Sequence, residues 1–220
     1  MTKRIVMKEY NVIVHDNRTE WLQNGVYHRE DGPAIVWSTG TKEWWLNGEL
    51  HRGNGPAIEW VNGTKKWYKN GKLHRDDGPA IEWHDGSKEW WLNGELHRDD
   101  GPAMELSNGH AEWWIHGKKH RDGGPAIEHV NGDKWWYKNG ELHRDDGPAV
   151  EYKDGKEWYQ NGLLHRDDGP AIEFNNGANK WYLNGVEYTK CEFLEKTQPA
   201  KELTIAGIEK LLGHRVKVVK

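Results

Sequence analysis

The sequence predicts an all-β fold: an elongated repeat array of stacked β-hairpins, followed by a short C-terminal helix-plus-strand segment. A unit of 22 or 23 residues recurs seven times, and each unit alternates apolar and polar residues between Asn-Gly or Asp-Gly turns. Apolar content is only 35%, with 15 Trp and 8 Tyr but 2 Phe. This composition favours a thin structure over a thick aliphatic core.

The repeat is most regular around a His-Arg pair. Trp lies seven positions before each pair, and Gly-Pro-Ala follows it. The pairs begin at His28, His51, His74, His97, His120, His143 and His165. Partial copies stand at both ends. We therefore assign residues 1–188 to the array and residues 189–220 to a C-terminal segment.

Each unit contains the signals of a hairpin. Residues 80–83 and 88–92 alternate as strands do, and residues 95–98 form a short third arm. Asp85-Gly86 and Asn93-Gly94 are expected to make primed turns, since both pairs tolerate positive φ. One hairpin buries too little surface to be stable alone, so the copies are expected to stack.

The C-terminal segment has a different pattern. Apolar residues at 205, 208, 211 and 212 have helical spacing, and Gly213 suits the end of a helix. Residues 214–220 read as a short basic strand or tail. We expect this segment to cap the last sheet edge; the alternative is a separate docking module.

The His-Arg motif predicts a structural ladder. Arg is never replaced by Lys in this column, which suits bidentate pairing with a carboxylate. The ladder residues are Arg29, Arg52, Arg75, Arg98, Arg121, Arg144 and Arg166. Two sets of partners recur: Asp76, Asp99, Asp122, Asp145 and Asp167 beside the Arg, and Glu59, Glu82, Glu105, Glu128, Glu151 and Glu173 on the next strand.

Two neighbouring aromatic columns predict the packing of the sheet. The invariant Trp column is expected to face the packed side with the Ile column of Ile35 and Ile58. The next column, one residue along the strand, then points to the opposite face. This aromatic stripe is the candidate partner-binding surface, the alternative being a second packed layer. It comprises Trp45, Tyr68, Trp91, Trp114, Tyr137, Tyr159 and Tyr182.

Composition excludes several function classes. A formal charge of −4 argues against a nucleic-acid binder, which normally carries a basic surface. The start of the chain has no apolar run long enough for a signal peptide, and no stretch is long enough to span a membrane. A single Cys excludes an intrachain disulfide framework. We expect a cytoplasmic protein.

The motifs favour binding over catalysis. His-Arg-Asp also begins the protein-kinase catalytic loop, but the other kinase motifs are absent from this sequence. Each copy offers one His, and stacked copies would separate these by roughly 10 Å, too far for a shared metal. No nucleophile recurs with a base. We therefore expect no enzyme activity, no metal and no cofactor.

Units such as residues 67–73 followed by residues 74–80 resemble MORN-variant repeats. The nearest form is the WYxNG–HRxDGPA repeat of bacteriophages and large DNA viruses, and related bacterial chains carry antitoxin labels. The resemblance covers residues 10–188. It implies hairpins stacked into one curved sheet, and a role as an interaction scaffold.

These observations predict a non-enzymatic protein that binds a host protein. Its most concrete form is a phage or viral inhibitor of a bacterial defence enzyme or toxin, acting in the host cytoplasm. The alternative is a small-ligand binder that holds a signalling nucleotide or a glycan in an aromatic trough.

Overall fold

The computed structural model describes residues 9–198 together with 205, 208–209, 213 and 215–216. These residues include thirty short strands and the helix α1. Their bounds are β1 Asn11–Val14, β2 Arg18–Gln23, β3 Val26–Tyr27, β4 Ile35–Trp37, β5 Lys42–Glu43, β6 Trp45–Leu46, β7 Glu49–Leu50, β8 Ile58–Glu59, β9 Lys65–Lys66, β10 Tyr68–Lys69, β11 Lys72–Leu73, β12 Ile81–Glu82, β13 Lys88–Glu89, β14 Trp91–Leu92, β15 Glu95–Leu96, β16 Met104–Glu105, β17 Ala111–Glu112, β18 Trp114–Ile115, β19 Lys118–Lys119, β20 Ile127–Glu128, β21 Lys134–Trp135, β22 Tyr137–Lys138, β23 Glu141–Leu142, β24 Val150–Tyr152, β25 Gly155–Glu157, β26 Tyr159–Gln160, β27 Leu163–Leu164, β28 Ile172–Phe174, β29 Trp181–Leu183, β30 Val186–Tyr188 and α1 Lys190–Thr197.

One long antiparallel sheet of 16 strands runs through the array. Its order is β1-β2-β4-β5-β8-β9-β12-β13-β16-β17-β20-β21-β24-β25-β28, with β3 paired to β2. Each copy, counted from one Gly-Pro-Ala to the next (residues 78–100, for example), contributes two strands beside those of its sequence neighbours. The predicted all-β repeat fold is therefore confirmed.

The unit differs from the prediction at the invariant Trp. The expected strand 88–92 is two strands: β13 in the long sheet, and β14, which pairs only with β15 as a separate hairpin. Trp90 lies at the break, where its N–H donates to the Ala103 carbonyl and its own carbonyl accepts from the His97 N–H. These bonds replace the ladder, so each full copy has two sheet strands and a small hairpin.

The Asn-Gly turns are of the primed type that was predicted. Residues in the Asn position adopt φ between +48° and +55°, and the glycines that follow also have positive φ. Positive φ at both central positions defines a type I′ turn, which suits the twist of two-residue hairpins. His116 replaces Asn in one copy and adopts the same conformation, with φ +48°.

The Asp85-Gly86 turn is different, and the predicted primed turn is wrong there. Only Gly86 has positive φ, and its N–H donates to the Trp83 carbonyl. The Trp83 N–H in turn donates to the Ser87 carbonyl at 2.9 Å. This is the pattern of a type I turn followed by a glycine bulge. Tyr152 pairs directly with Gly155 instead, and this connection, one residue shorter, accounts for the single 22-residue interval.

The buried core is a narrow line. The predicted Ile column is buried at Ile35, Ile58, Ile81 and Ile127. Sequence reasoning did not anticipate the column beside it, the Ala of Gly-Pro-Ala, which has 0% exposure in all seven copies: Ala34, Ala57, Ala80, Ala103, Ala126, Ala149 and Ala171. Each Ala carbonyl accepts the N–H of an invariant Trp at 2.7–2.8 Å. The backbones approach closely here because the side chain is small.

Helix α1 follows the last hairpin. Its N-terminus has a capping box, in which the Glu192 N–H donates to the Thr189 hydroxyl oxygen and the Glu192 carboxylate accepts the Thr189 N–H. The helix contacts β29 and β30, and its Phe193 is 2% exposed. The sequence analysis missed this helix, although Thr189 and Glu192 carry its signal. The predicted division at residue 188 remains a prediction.

The predicted helix at 201–213 lies mostly outside the described residues, as does most of the tail at 214–220. Ile205, Ile208 and Glu209 are helical. Gly213 has φ +70°, and its N–H donates to the Glu209 carbonyl, as expected where a helix ends. In the described part of the chain, no helix is long and apolar enough to cross a membrane.

Enlarging the buried Ala should disturb this close approach. We expect Ala103→Val to destabilise the protein by about 1–3 kcal/mol, because two added methyl groups overpack a fully buried position. The control is Ala111→Val, at a partly exposed position in β17 where a β-branched residue suits a strand. Chemical denaturation measures both variants. Equal losses in the free energy of unfolding for the two variants would contradict this description of the core.

Candidate partner-binding face

The seven ladder arginines share one environment. Each guanidinium carbon lies 3.8–4.3 Å from the centroid of an invariant Trp ring, close enough for a cation–π interaction. The pairs are Arg29 with Trp21, Arg52 with Trp44, Arg75 with Trp67, Arg98 with Trp90, Arg121 with Trp113, Arg144 with Trp136 and Arg166 with Trp158. The invariance of both residues follows from this stack, which the sequence analysis did not foresee.

The guanidinium also makes directed hydrogen bonds. In Arg98, one terminal nitrogen donates to Glu105 at 2.8 Å and to the Pro102 carbonyl at 3.2 Å, while Nε donates to Asp100 at 2.8 Å. The predicted Arg–Glu pairs are present in six copies. The predicted Asp is the wrong one, since Arg98 bonds the second Asp of the motif and not Asp99.

This cluster joins successive copies. Trp90 and Arg98 belong to one copy, whereas Glu105 belongs to the next. The Arg98 backbone N–H also donates to the Trp114 carbonyl of that next copy, at 3.1 Å. A Cβ on Gly101 would lie 2.8 Å from the Arg98 guanidinium carbon, so a larger residue there would displace the guanidinium from its stack.

The histidines make a second tie between copies. In all seven motifs, Nδ1 accepts a backbone N–H from the primed turn of the next copy, at 3.0–3.2 Å. In His74 and His143 the other ring nitrogen, Nε2, lies 2.9 and 3.0 Å from the first Asp of the motif, Asp76 and Asp145. The first Asp thus pairs with His, not with Arg.

The aromatic stripe shares a face with the Ile column, the reverse of the predicted facing. Ile35 is the cross-strand partner of Glu43, so their side chains lie on one face. The Glu43 carboxylate accepts Trp37 Nε1–H at 2.8 Å and Trp45 Nε1–H at 3.0 Å. The stripe residue Trp45 therefore reaches the face of the buried Ile.

The invariant Trp and its Arg lie on the other face. Glu59 follows Ile58 in β8, so it points away from the Ile column. Glu59 accepts the hydrogen bond from Arg52, whose guanidinium stacks on Trp44. The predicted facing was wrong because it grouped the invariant Trp with the Ile column as apolar residues, whereas the register pairs Ile35 with Glu43, the residue before Trp44.

Carboxylates hold aromatic pairs in several copies. Glu89 accepts from Trp83 and Trp91, and Glu157 accepts from the hydroxyls of Tyr152 and Tyr159. The outer members of these pairs belong to a tip row that sequence reasoning missed, although it recurs two residues after the Ile position: Trp37, Trp60, Trp83, His129, Tyr152 and Phe174. We call the stripe, the tip row and the Ile–Glu row between them the aromatic face.

The stripe residues are all half-buried: Trp45, Tyr68, Trp91, Trp114, Tyr137, Tyr159 and Tyr182. Burial, followed by the carboxylate of Glu157, raises the pKa of Tyr152 to about 12. Burial also raises the pKa of Tyr68 and of Tyr137. Internal hydrogen bonds to carboxylates fix the polar ends of Trp45, Trp91 and Tyr159. Whether it binds a partner stays a prediction.

Two lysines enter the same face. Lys66 takes the Glu position in its copy, and its Nζ lies 5.2 Å from the Trp60 ring centroid and 5.0 Å from that of Trp83. The Nζ of Lys119 lies 5.2 Å from the Trp114 centroid and 5.4 Å from that of Tyr137. It is also 3.6 Å from the Glu112 carboxylate. An ammonium group therefore sits near rings of two successive copies at both places.

Five clefts lie between successive His-Arg-Asp segments, each of about 440 to 640 Å³. Their rims carry an acidic ridge of exposed side chains such as Asp99 and Asp122, which are 87% and 98% exposed. The nearby Arg Nη1 atoms donate to Pro carbonyls, and the His Nδ1 atoms accept from the primed turns. Among the described residues, no three His, Cys, Asp or Glu are grouped so as to hold a metal.

No family model and no curated protein matches the chain. The function is therefore argued from the geometry described above.

The ladder predicts sensitivity to acid. The Arg Nε–H bond holds the pKa of Asp77, Asp100, Asp146 and Asp168 below its ordinary value. A lowered folded-state pKa gives stability that is present above the unfolded pKa of about 3.9 and is lost as pH falls through the folded pKa. We expect the melting temperature to fall between about pH 5 and pH 2.

The variant Asp100→Asn/Asp146→Asn tests this origin. Its melting temperature should be lower than that of wild type near neutral pH. On acidification its melting temperature should fall by less, because two titrating groups are gone. Asp16→Asn, in an exposed turn, is the control and should follow wild type. Identical pH profiles for all three proteins would show that the acid effect arises elsewhere.

Proposed function

We propose that this chain is a non-enzymatic binding protein that engages a protein partner through the aromatic face. The observation that carries the proposal is the recurrence, in several copies, of two aromatic side chains held by one carboxylate. Rings fixed in this way lose little conformational entropy on binding, and Trp and Tyr are enriched at the energetic centres of protein interfaces.

The repeated polar residues support binding over catalysis. The His of the motif bonds the next copy in all seven motifs, and the Arg does so through Glu in six of them. A catalytic centre needs a nucleophile, acid or base set apart from its neighbours by a perturbed environment. The motif is uniform along the array, which fits a structural role.

The sequence resemblance supports a host protein as the partner. In its concrete form, the proposal is that a phage or virus encodes this chain to inhibit a bacterial defence enzyme or toxin in the host cytoplasm. Affinity capture from host lysate, followed by identification and titration of one stoichiometric protein, tests it. Capture of no saturable protein partner would contradict it.

The electrostatics of the face bear on the small-ligand alternative. Glu43, Glu89 and Glu157 place carboxylates between the aromatic rows. Like charges repel, so these groups disfavour the phosphates of a signalling nucleotide. A neutral glycan meets no such repulsion. A glycan bound at this face would compete with the protein partner in a binding titration.

Two adjacent tryptophans separate binding from folding. We expect Trp114→Ala to weaken partner binding by about 2 kcal/mol or more while the fold survives, because Trp114 lies on the aromatic face. We expect Trp113→Ala to cost about 3 kcal/mol of stability, since it removes the ring beneath Arg121. Thermal melts and a binding titration of each variant measure both effects.

The reverse result would assign the two faces to the opposite roles. If Trp114→Ala binds the partner with wild-type affinity, the aromatic face is not the interface.

A further inference from the structure

We propose that the aromatic face takes an extended, basic segment of its partner, and that Lys or Arg side chains of this segment sit beside Glu43, Glu89 and Glu157. This inference rests on the proposed function and specifies the chemistry of the partner.

The first support is the state of these three carboxylates. Each accepts hydrogen bonds from two aromatic side chains. Within the described part of the chain, none of the three forms an ion pair with Lys, Arg or His within 4.0 Å, whereas the Glu residues of the opposite face are paired with Arg. Each of these carboxylates therefore has no ion-pair partner within that distance among the described residues, and a cation placed beside it among the half-buried rings would be favoured.

The second support is independent and comes from the chain's own lysines. Lys119 places its ammonium group beside Glu112 and near the rings of Trp114 and Tyr137. In five other copies this position is Leu: Leu50, Leu73, Leu96, Leu142 and Leu164. The Lys119 site thus shows a primary ammonium beside a carboxylate of this face, and Lys66 places a second one 5.0 Å from the centroid of Trp83, the ring that donates to Glu89. Aromatic faces attract such cations, and Trp does so most strongly.

The spacing of the carboxylates favours an extended segment. Glu43 and Glu89 lie two copies apart, and Glu89 and Glu157 lie three copies apart. Two strands per copy at about 4.8 Å give roughly 10 Å per copy, which an extended chain covers in about three residues. Cationic side chains about six and nine residues apart would therefore reach all three sites.

The acidic ridge is the rival site for a basic ligand. Its Asp side chains lie in the His-Arg-Asp segments and are mostly exposed, as at Asp76 with 74% and Asp99 with 87%. Exposed charges attract any polycation weakly, and salt screens that attraction. The experiment must therefore compare equal charge changes at the two places.

The probe is a synthetic peptide of about 18 residues with Lys at every third position and Gly-Ser between, titrated by calorimetry at about 0.15 M salt. We expect Glu43→Gln/Glu89→Gln/Glu157→Gln to weaken its binding roughly tenfold or more. The matched variant Asp76→Asn/Asp99→Asn/Asp145→Asn removes the same charge from the ridge and should change binding less than about twofold. The opposite ranking would overturn the inference.

In a second pair of variants the expected effect is tighter binding. Damage to the fold would weaken binding, so it could not produce this result. Lys119→Leu restores the residue common to other copies and vacates the site beside Glu112. We expect it to bind the peptide roughly threefold more tightly than Lys118→Leu, which removes the same charge from an exposed neighbour. Equal affinities for these two variants would contradict an aromatic cation site.

The outcome also separates this inference from the proposed function. If Trp114→Ala loses the captured partner but the triple Gln variant binds that partner and the peptide as wild type does, the function stands and the basic segment is wrong. If neither variant affects partner binding, both fail.

Discussion

The array depends on one contact, the guanidinium that stacks on a Trp ring of its own copy and donates to a Glu of the next. A sheet of two-residue strands has few ladder hydrogen bonds and little aliphatic area to bury. In each full copy, Arg98 and its equivalents add a cation–π stack, a charge-assisted bond and a bond to a Pro carbonyl. Lys has a single ammonium and no planar fork, so it cannot make this set together.

This contact constrains its neighbours. A larger residue at Gly101 would displace the guanidinium, and Ala103, which accepts the Trp90 N–H, lies at a fully buried position. The His97 imidazole then binds the turn of the following copy. The Arg and Glu side chains of the ladder form their contacts on one face of the sheet. The other face carries the aromatic pairs and the carboxylates that bind them. The contacts that join the copies thus lie on one side of the sheet, and the face proposed to bind a partner lies on the other.

Much of the fold could be predicted because it repeats. The period, the strand pairs, the primed Asn-Gly turns and the Arg–Glu pairs follow from residue types that recur at one spacing. The facing of the aromatic columns could not be predicted, because it depends on which residue pairs with the Ile across the sheet, and that residue is Glu89 and not the apolar Trp90. The choice between the two Asp residues of the motif depends on loop geometry that spacing does not encode. Helix α1 was missed, although its capping box at Thr189 was readable.

The central claim is that the Arg fork holds successive copies together. Arg98→Lys and Lys88→Arg make the same exchange in opposite directions without changing net charge, one in the ladder and one at an exposed strand position. Their thermal unfolding gives the most direct test. We predict that Arg98→Lys loses about 1–3 kcal/mol of stability, or roughly 2–12 °C in melting temperature, while Lys88→Arg melts as wild type does. Equal melting temperatures for the two variants would contradict the account.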